Sequence, residues 1–136
     1  MNEKYMKLAL EQAEIALLNG DVPVGAIIVK GNEIIARAYN KKEKNRDATD
    51  HAEIIAIREA CRYLKDWRLN GCIMYVTLEP CPMCLGAIQQ SRIEKIVFGT
   101  KNTKDIDNQF VDAEGSILDI ECSKLLKSFF QNRRNE

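Results

Sequence analysis

From residue 51 to residue 100 the chain alternates twice between a helix-periodic segment and a short apolar run. "HAEIIAIREACRYL" (51–64) places Ile54, Ile55, Ile57, Ala60, Cys61 and Leu64 at helical spacing, and "CIMYVTL" (72–78) follows as a buried strand. "CPMCLGAIQQS" (81–91) is again helical, and "IEKIVFGT" (93–100) is a second buried strand. Strands separated by helices run parallel in one sheet, with helices on its two faces. Upstream, a helix through Leu8, Ala9, Ala13, Ala16 and Leu17 ends at Gly20. The runs "VPVGAIIV" (22–29) and "IIARAY" (34–39), joined by the turn "KGNE", form a hairpin. Residues 40–50 and 103–109 read as loop, and 112–136 mostly as helix. The expected fold is a three-layer α/β/α domain over residues 1–136, with a mixed central sheet of four to five strands.

Composition narrows the class of protein. At 46% hydrophobic and 29% charged, the chain can bury a core and stay soluble. No apolar run reaches the roughly 18 residues that span a membrane. Glu3, Glu11 and Glu14 interrupt the first helix, which excludes the unbroken apolar centre of a signal peptide and gives the expectation of a cytoplasmic protein. Lysine plus arginine equals aspartate plus glutamate at 20 each, so net charge neither favours nor excludes a nucleic-acid partner. The five cysteines are an odd number in a chain without an export signal, which argues against a disulfide framework. Cys61, Cys72 and Cys122 fall in apolar patterns and read as buried free thiols.

Cys81 and Cys84 differ. Three residues apart on a helix they share a face, and Pro82 suits the first helical position, where a missing amide hydrogen costs nothing. Sulfurs at a helix N-terminus are favoured as thiolates, which are zinc ligands. His51, the one histidine of the chain, opens the preceding helix. A histidine and two cysteines make three protein ligands and leave a fourth position for water, the arrangement of a catalytic zinc. Taken alone, "CPMC" is equally a redox pair, and a lone histidine is more often a hydrogen-bonded structural residue than a ligand. A closed structural zinc site would need a second ligand pair, and none is spaced for it. Glu53 lies two residues from His51 and so does not share its helix face. One of the two can ligate an ion while the other reaches past it to a bound molecule.

The combination H-x-E followed by P-C-x-x-C is the signature of zinc nucleobase deaminases. The chain resembles the cytidine/deoxycytidylate deaminase superfamily and, more closely, the bacterial tRNA adenosine deaminases. The resemblance is carried by "VPVGAIIV" (22–29), Asn40, "HAEIIAI" (51–57), "WRL" (67–69), "YVTLEPCPMCLGAI" (75–88), "SRIEKIVFG" (91–99) and "LLKSFFQNRR" (125–134). It implies a cytidine deaminase-like fold, one Zn2+ per chain on His51, Cys81 and Cys84, and Glu53 as the proton shuttle. It further implies base recognition by Asn40, a base pocket lined by Val24, Gly25, Ala26 and the backbone near Ala52 and Glu79, and a homodimer. Two stretches depart from the family pattern. "TKNTKDIDNQFVDAEGS" (100–116) is shorter than its counterpart, and "DATDHAE" puts Asp50 beside His51, where it is expected to cap the helix.

An RNA substrate needs local positive charge. Lys41, Lys42, Lys44 and Arg46 precede His51, and Lys101 and Lys104 follow the last apolar strand. Phe129, Phe130, Arg133 and Arg134 interleave aromatic and basic groups near the C-terminus, a pattern that stacks bases and holds phosphates. The same residues read more plainly as a solvated loop and a phenylalanine pair packed on the core. Three functions are therefore set against one another. The first is adenosine-to-inosine deamination in a tRNA anticodon loop. The second is deamination of a free base or nucleoside such as guanine, adenine or cytosine. The third is a non-catalytic zinc module or thiol redox protein, for either of which Glu53 would be unnecessary.

Overall fold

Residues 25–30 and 72–78 are apolar at almost every position because both of their faces are covered. The computed structural model of the chain describes residues 2–134, with the side chains of Arg133 and Arg134 outside the described residues. Its elements are α1 (Asn2–Leu18), β1 (Gly25–Lys30), β2 (Glu33–Tyr39), α2 (Lys42–Asn45), α3 (Ala52–Leu64), β3 (Cys72–Leu78), α4 (Pro82–Gln90), β4 (Lys95–Thr100), β5 (Asp112–Glu114) and α5 (Asp119–Arg134). The five strands form one sheet in the order β2-β1-β3-β4-β5. β1 is antiparallel to both β2 and β3, whereas β3, β4 and β5 run parallel. The pleat sorts the side chains: Ala26, Ile28, Met74, Val76, Ile96 and Phe98 face one way, while Ile27, Val29, Tyr75 and Val97 face the other. α1 and α5 cover the second set, and α3, with α4 beside it, covers the first. The expected three-layer α/β/α architecture with a mixed sheet is thus observed.

Three local readings are corrected. Residues 112–114, expected to be helical, form the edge strand β5, and α5 starts only at Asp119. "DAE" is exposed at all three positions, so no alternation marks it as a strand. It is held by the parallel register Lys95↔Asp112 to Val97↔Glu114 and by an ion pair between Lys95 Nζ and Glu114 Oε2 at 3.0 Å. The loop 40–50 contains the one-turn helix α2. β1 begins at Gly25 and not at Val22, because Pro23 has no N–H for the ladder.

This topology brings several chain segments to one end of the sheet. β3 and β4 finish there at Leu78 and Thr100, β1 begins there at Gly25, and β2 ends there at Tyr39, opposite Gly25. Asn40, Val24, Leu78 and Glu79 are therefore neighbours, and the N-termini of α3 and α4 open onto the same spot. Two glycines let helices approach this closely. A Cβ on Gly25 would run into the Ala9 carbonyl oxygen and the Ala13 amide nitrogen of α1, and one on Gly99 would meet the Cys122 sulfur of α5. Neither neighbour on α1 is a flexible side-chain end, so the backbone itself must move. Gly25→Ala is expected to destabilise the fold by about 1–3 kcal/mol, the usual range for overpacking, measured by urea unfolding. A loss below about 0.5 kcal/mol, the scale of a neutral surface substitution, would contradict the contact.

Candidate active site

His51 and Cys81 occupy equivalent positions, each the N-cap of its helix in an extended backbone conformation, at φ −70°, ψ 152° and φ −70°, ψ 168°. Neither side chain caps its own helix, so both are available to a ligand. Cys84 lies one turn into α4, behind Pro82, and is fully buried. His51 Nδ1 stands 3.8 Å from Cys81 Sγ and 3.5 Å from Cys84 Sγ, and the three ligand atoms all lie within 4.8 Å of one another. The start of α3 is fixed by Asn40, whose Oδ1 accepts the Ala52 N–H at 2.7 Å. Asp50 is not the cap expected from the sequence. Its buried carboxylate accepts from Asn45 Nδ2 and pairs with Arg58 Nη1, each at 2.8 Å.

The two cysteine thiols are driven in opposite directions. The Cys81 thiol is pushed down to about 3, foremost by the hydrogen bond from Cys84 and next by His51. Cys84 is pushed up, first by giving that bond and then by burial. His51 is held above its ordinary value, foremost by its hydrogen bond with Cys81. A cation that displaces the Cys84 proton would meet two thiolates and an imidazole nitrogen, the donor set of a borderline-soft metal such as zinc.

Glu53 is 4% exposed, and its Oε1 is the one buried side-chain oxygen or nitrogen among the described residues with no hydrogen-bond partner. Burial, foremost, raises its carboxyl from 4.5 to about 7. An orphaned buried oxygen beside a cluster of metal-ligating donors marks a place where a bound molecule completes the site. A cavity of about 130 Å³ lies there, walled by Val22, Val24, Leu78, Glu79, Asn40 and Asn102 around His51, Glu53, Cys81 and Lys42. Glu79 closes one side, with its Oε1 accepting the Asn102 N–H at 3.1 Å. A second, more apolar cavity of about 290 Å³ shares Val22, Leu78 and Asn102 with the first. It continues along α5 past Ser123, Leu126, Lys127 and Phe130, with Lys101 on its rim.

The residues expected at the site divide accordingly. Val24, Asn40 and Glu79 stand in the wall. Gly25, Ala26 and Ala52 do not: they are buried behind it, Gly25 against α1 and the two alanines in the core under α3. Of the expected RNA contacts, Lys42 lines the catalytic cavity, and Lys101 and Phe130 line the second. Lys41 lies over the Tyr39 ring at 4.8 Å, and Arg46 is exposed at the end of α2. Phe129 is buried, its ring edge-on to Phe130 at 5.3 Å, so it cannot stack on a base. Arg133 and Arg134 are outside the described side chains. Val22, Leu78, Asn102 and Asp21 were not singled out from sequence. Val22 and Leu78 adjoin residues that were, and Asn102 sits in the shortened segment, where the sequence pattern departs from the family.

The Glu53 carboxyl has a consequence for stability in the metal-free protein. Its contribution is fully present below 4.5, where it is protonated folded and unfolded alike, and is lost as pH rises through about 7. Metal-stripped protein should therefore lose stability relative to Glu53→Gln over that window, by on the order of 3 kcal/mol. Parallel urea titrations of the two proteins test this, and identical pH dependence would contradict the buried, unpartnered placement.

Residues 1–134 match the family model of the MafB19-like deaminases. The tRNA-specific adenosine deaminase of Bacillus subtilis (strain 168) is 41% identical over 99% of this chain and 92% of its own length. That of Aquifex aeolicus (strain VF5) is 46% identical over 98% of this chain and 96% of its own. The Bacillus alignment runs over 148 positions against the 136 residues here, so it includes gaps on this chain's side. A solved structure from a study of A-to-I editing by tRNA:A34 deaminases superposes with a TM-score of 0.85 at 34% identity, covering 90% of this chain and 99% of that one. A guanine deaminase structure from Bacillus subtilis gives 0.71 at 39% identity, covering 81% of this chain and 71% of that one. With the family model matched from one end of the described fold to the other, the chain belongs to the MafB19-like deaminases, hydrolytic enzymes that act on the exocyclic amine of a nucleobase.

Proposed function

We propose that this deaminase uses zinc and converts adenosine to inosine in the anticodon loop of a tRNA. The observation that carries the reading is the orphaned Glu53 oxygen, in one small cavity with the ligand atoms of His51, Cys81 and Cys84. Zinc on those three atoms would supply Lewis acidity and bring the pKa of a water in its open position near neutrality. Glu53 takes one proton of the attacking water and gives it to the ring nitrogen next to the reacting carbon; it then takes the remaining proton of the added hydroxyl and gives it to the exocyclic amine, which leaves as ammonia. Its burial keeps the carboxyl close to neutrality, which suits a group that must accept and return a proton in turn. Asn40 has its carbonyl engaged with Ala52, which leaves Nδ2 to donate to the edge of the base. Val24 and Leu78 offer apolar contact to its faces. A cavity of about 130 Å³ has no room for a base pair, so the substrate base enters alone, extruded from a loop.

The second cavity favours RNA over a free base. Its apolar wall of Leu78, Leu126 and Phe130, rimmed by Lys101 and Lys127, offers stacking and charge to a neighbouring nucleotide, and a free base would leave it unused. Deamination of a free base or nucleoside is the second reading, favoured by the 39% identity to a guanine deaminase. Homodimer assembly belongs to the proposal as well. α4 leaves Met83 and Gly86 exposed on a helix whose other face carries Cys84 into the site. We place this single-domain enzyme in the cytoplasm, where its tRNA substrate is found. Among the described residues no helix is long and apolar enough to cross a membrane.

The deciding experiment measures ammonia release and inosine formation with bulk tRNA, free purines, pyrimidines and their nucleosides. tRNA should be the substrate, with one zinc per chain. Cys84→Ala should lose most of the metal, whereas Glu53→Ala should keep it and lose at least ~10²–10⁴-fold in rate. Efficient turnover of guanine without inosine in tRNA would overturn the substrate, and near-normal turnover by Glu53→Ala would overturn the shuttle. Phe130→Ala should weaken tRNA binding by roughly 1–3 kcal/mol, the value of one stacked base. Unchanged tRNA binding by that variant would remove the second cavity from the RNA path.

A further inference from the structure

The helix α2 is held from other parts of the chain: Asn45, its last residue, donates to the Asp50 carboxylate, and the Lys41 N–H before it donates to the Asp50 carbonyl. None of its residues is buried, and its N-cap Lys41 makes no side-chain cap bond. Yet Lys42, its first residue, lines the catalytic cavity. In its first turn the support comes from Asp21, which is only 2% exposed and uses both carboxylate oxygens on backbone amides. Oδ1 accepts the Val22 N–H and Oδ2 accepts the Glu43 N–H, each at 2.9 Å. Glu43 is in the first turn of α2, so Asp21 caps that helix from another part of the chain. Asp21 is itself anchored by its own N–H, which donates to the Ala16 carbonyl at the end of α1 at 2.9 Å.

The two amides belong to two separate segments of the chain at the site. Val22 belongs to the wall shared by both cavities, and Glu43 follows Lys42. Asp21 lines neither cavity. A carboxylate is expensive to bury, and this one is satisfied by bonds that fix cavity-wall backbone. Lys42 needs such support, because an ammonium on a flexible stem gains from a phosphate only to the extent that it is held ready for it.

We propose that Asp21 is a positioning residue that acts through α2, keeping the Lys42 ammonium at the cavity to meet the phosphate of the extruded nucleotide. The proposal rests on the RNA reading of the preceding section. Its test compares wild type, Asp21→Asn, Lys42→Ala and the double variant, by initial rates of inosine formation in tRNA across a salt series, with zinc content measured for each. Asparagine keeps the shape but turns an N–H donor toward one of the two amides. Each single variant should raise KM about tenfold, the scale of one charge-assisted contact, with kcat and zinc nearly unchanged. Each should also flatten the salt dependence by about 0.7 in logarithmic slope, the share of one phosphate on a single strand. The double variant should be no worse than Lys42→Ala.

KM losses that multiply in the double variant, an unchanged salt slope, or loss of kcat or zinc in Asp21→Asn would reduce Asp21 to a structural residue and overturn the proposal. Wild type that forms no inosine in tRNA fails earlier in the same experiment; it overturns the substrate reading and the phosphate role with it. Amide hydrogen exchange of the unaltered protein gives a check that needs no variant. The Glu43 amide should exchange far more slowly than in an unstructured peptide, and exchange at the unstructured rate would also overturn the proposal.

Discussion

The site depends on two helices that start at the same place. α3 and α4 both open at the end of the sheet where β3 and β4 finish, and each presents its N-cap residue, His51 or Cys81, to the other. The orphan amides and dipole at the start of α4 favour thiolate at Cys81 before any cation arrives, while Cys84 is held as the thiol. The extended N-cap conformation is what turns His51 and Cys81 away from their own helices. Asn40 holds the start of α3 by accepting the Ala52 amide, so the end of the β2 strand is tied to the cluster of possible metal ligands.

The same junction separates two roles within three residues. His51, at the cap, lies among the sulfurs, while Glu53, the second residue of the helix, is carried into the cavity wall with Oε1 unpartnered. Neither residue performs both tasks, because side chains two apart on a helix leave it in different directions. Burial then sets the chemistry of the carboxyl, and the apolar wall of Val22, Val24 and Leu78 supplies that burial. A fold that placed the glutamate on the solvent side would keep the His51–Cys81–Cys84 cluster and lose the proposed proton shuttle.

Much of this was legible in the chain. The apolar runs of β1, β3 and β4 announce strands covered on both faces, and "HAE" with "CPMC" announces the donors at two helix starts. What was not legible has physical reasons. β5 is three exposed residues held by pairing to β4, so hydrophobic period carries no trace of it. Gly25 and Ala26 look like pocket residues beside Val24, but the pleat and the turn at Pro23 decide which of them faces the cavity. Phe129 and Phe130 are adjacent on a helix, about 100° apart, so one enters the core and the other remains outside. Asp21 was silent because its partners are backbone amides, one of them 22 residues away.

The proposed deaminase chemistry requires an open metal centre, with protein on three positions and water on the fourth. X-ray absorption at the zinc edge of the purified protein measures this directly. Two sulfurs at about 2.3 Å and two lighter atoms near 2.0–2.1 Å are the expected shell. A shell of three or four sulfurs, or zinc absent from active protein, would contradict it.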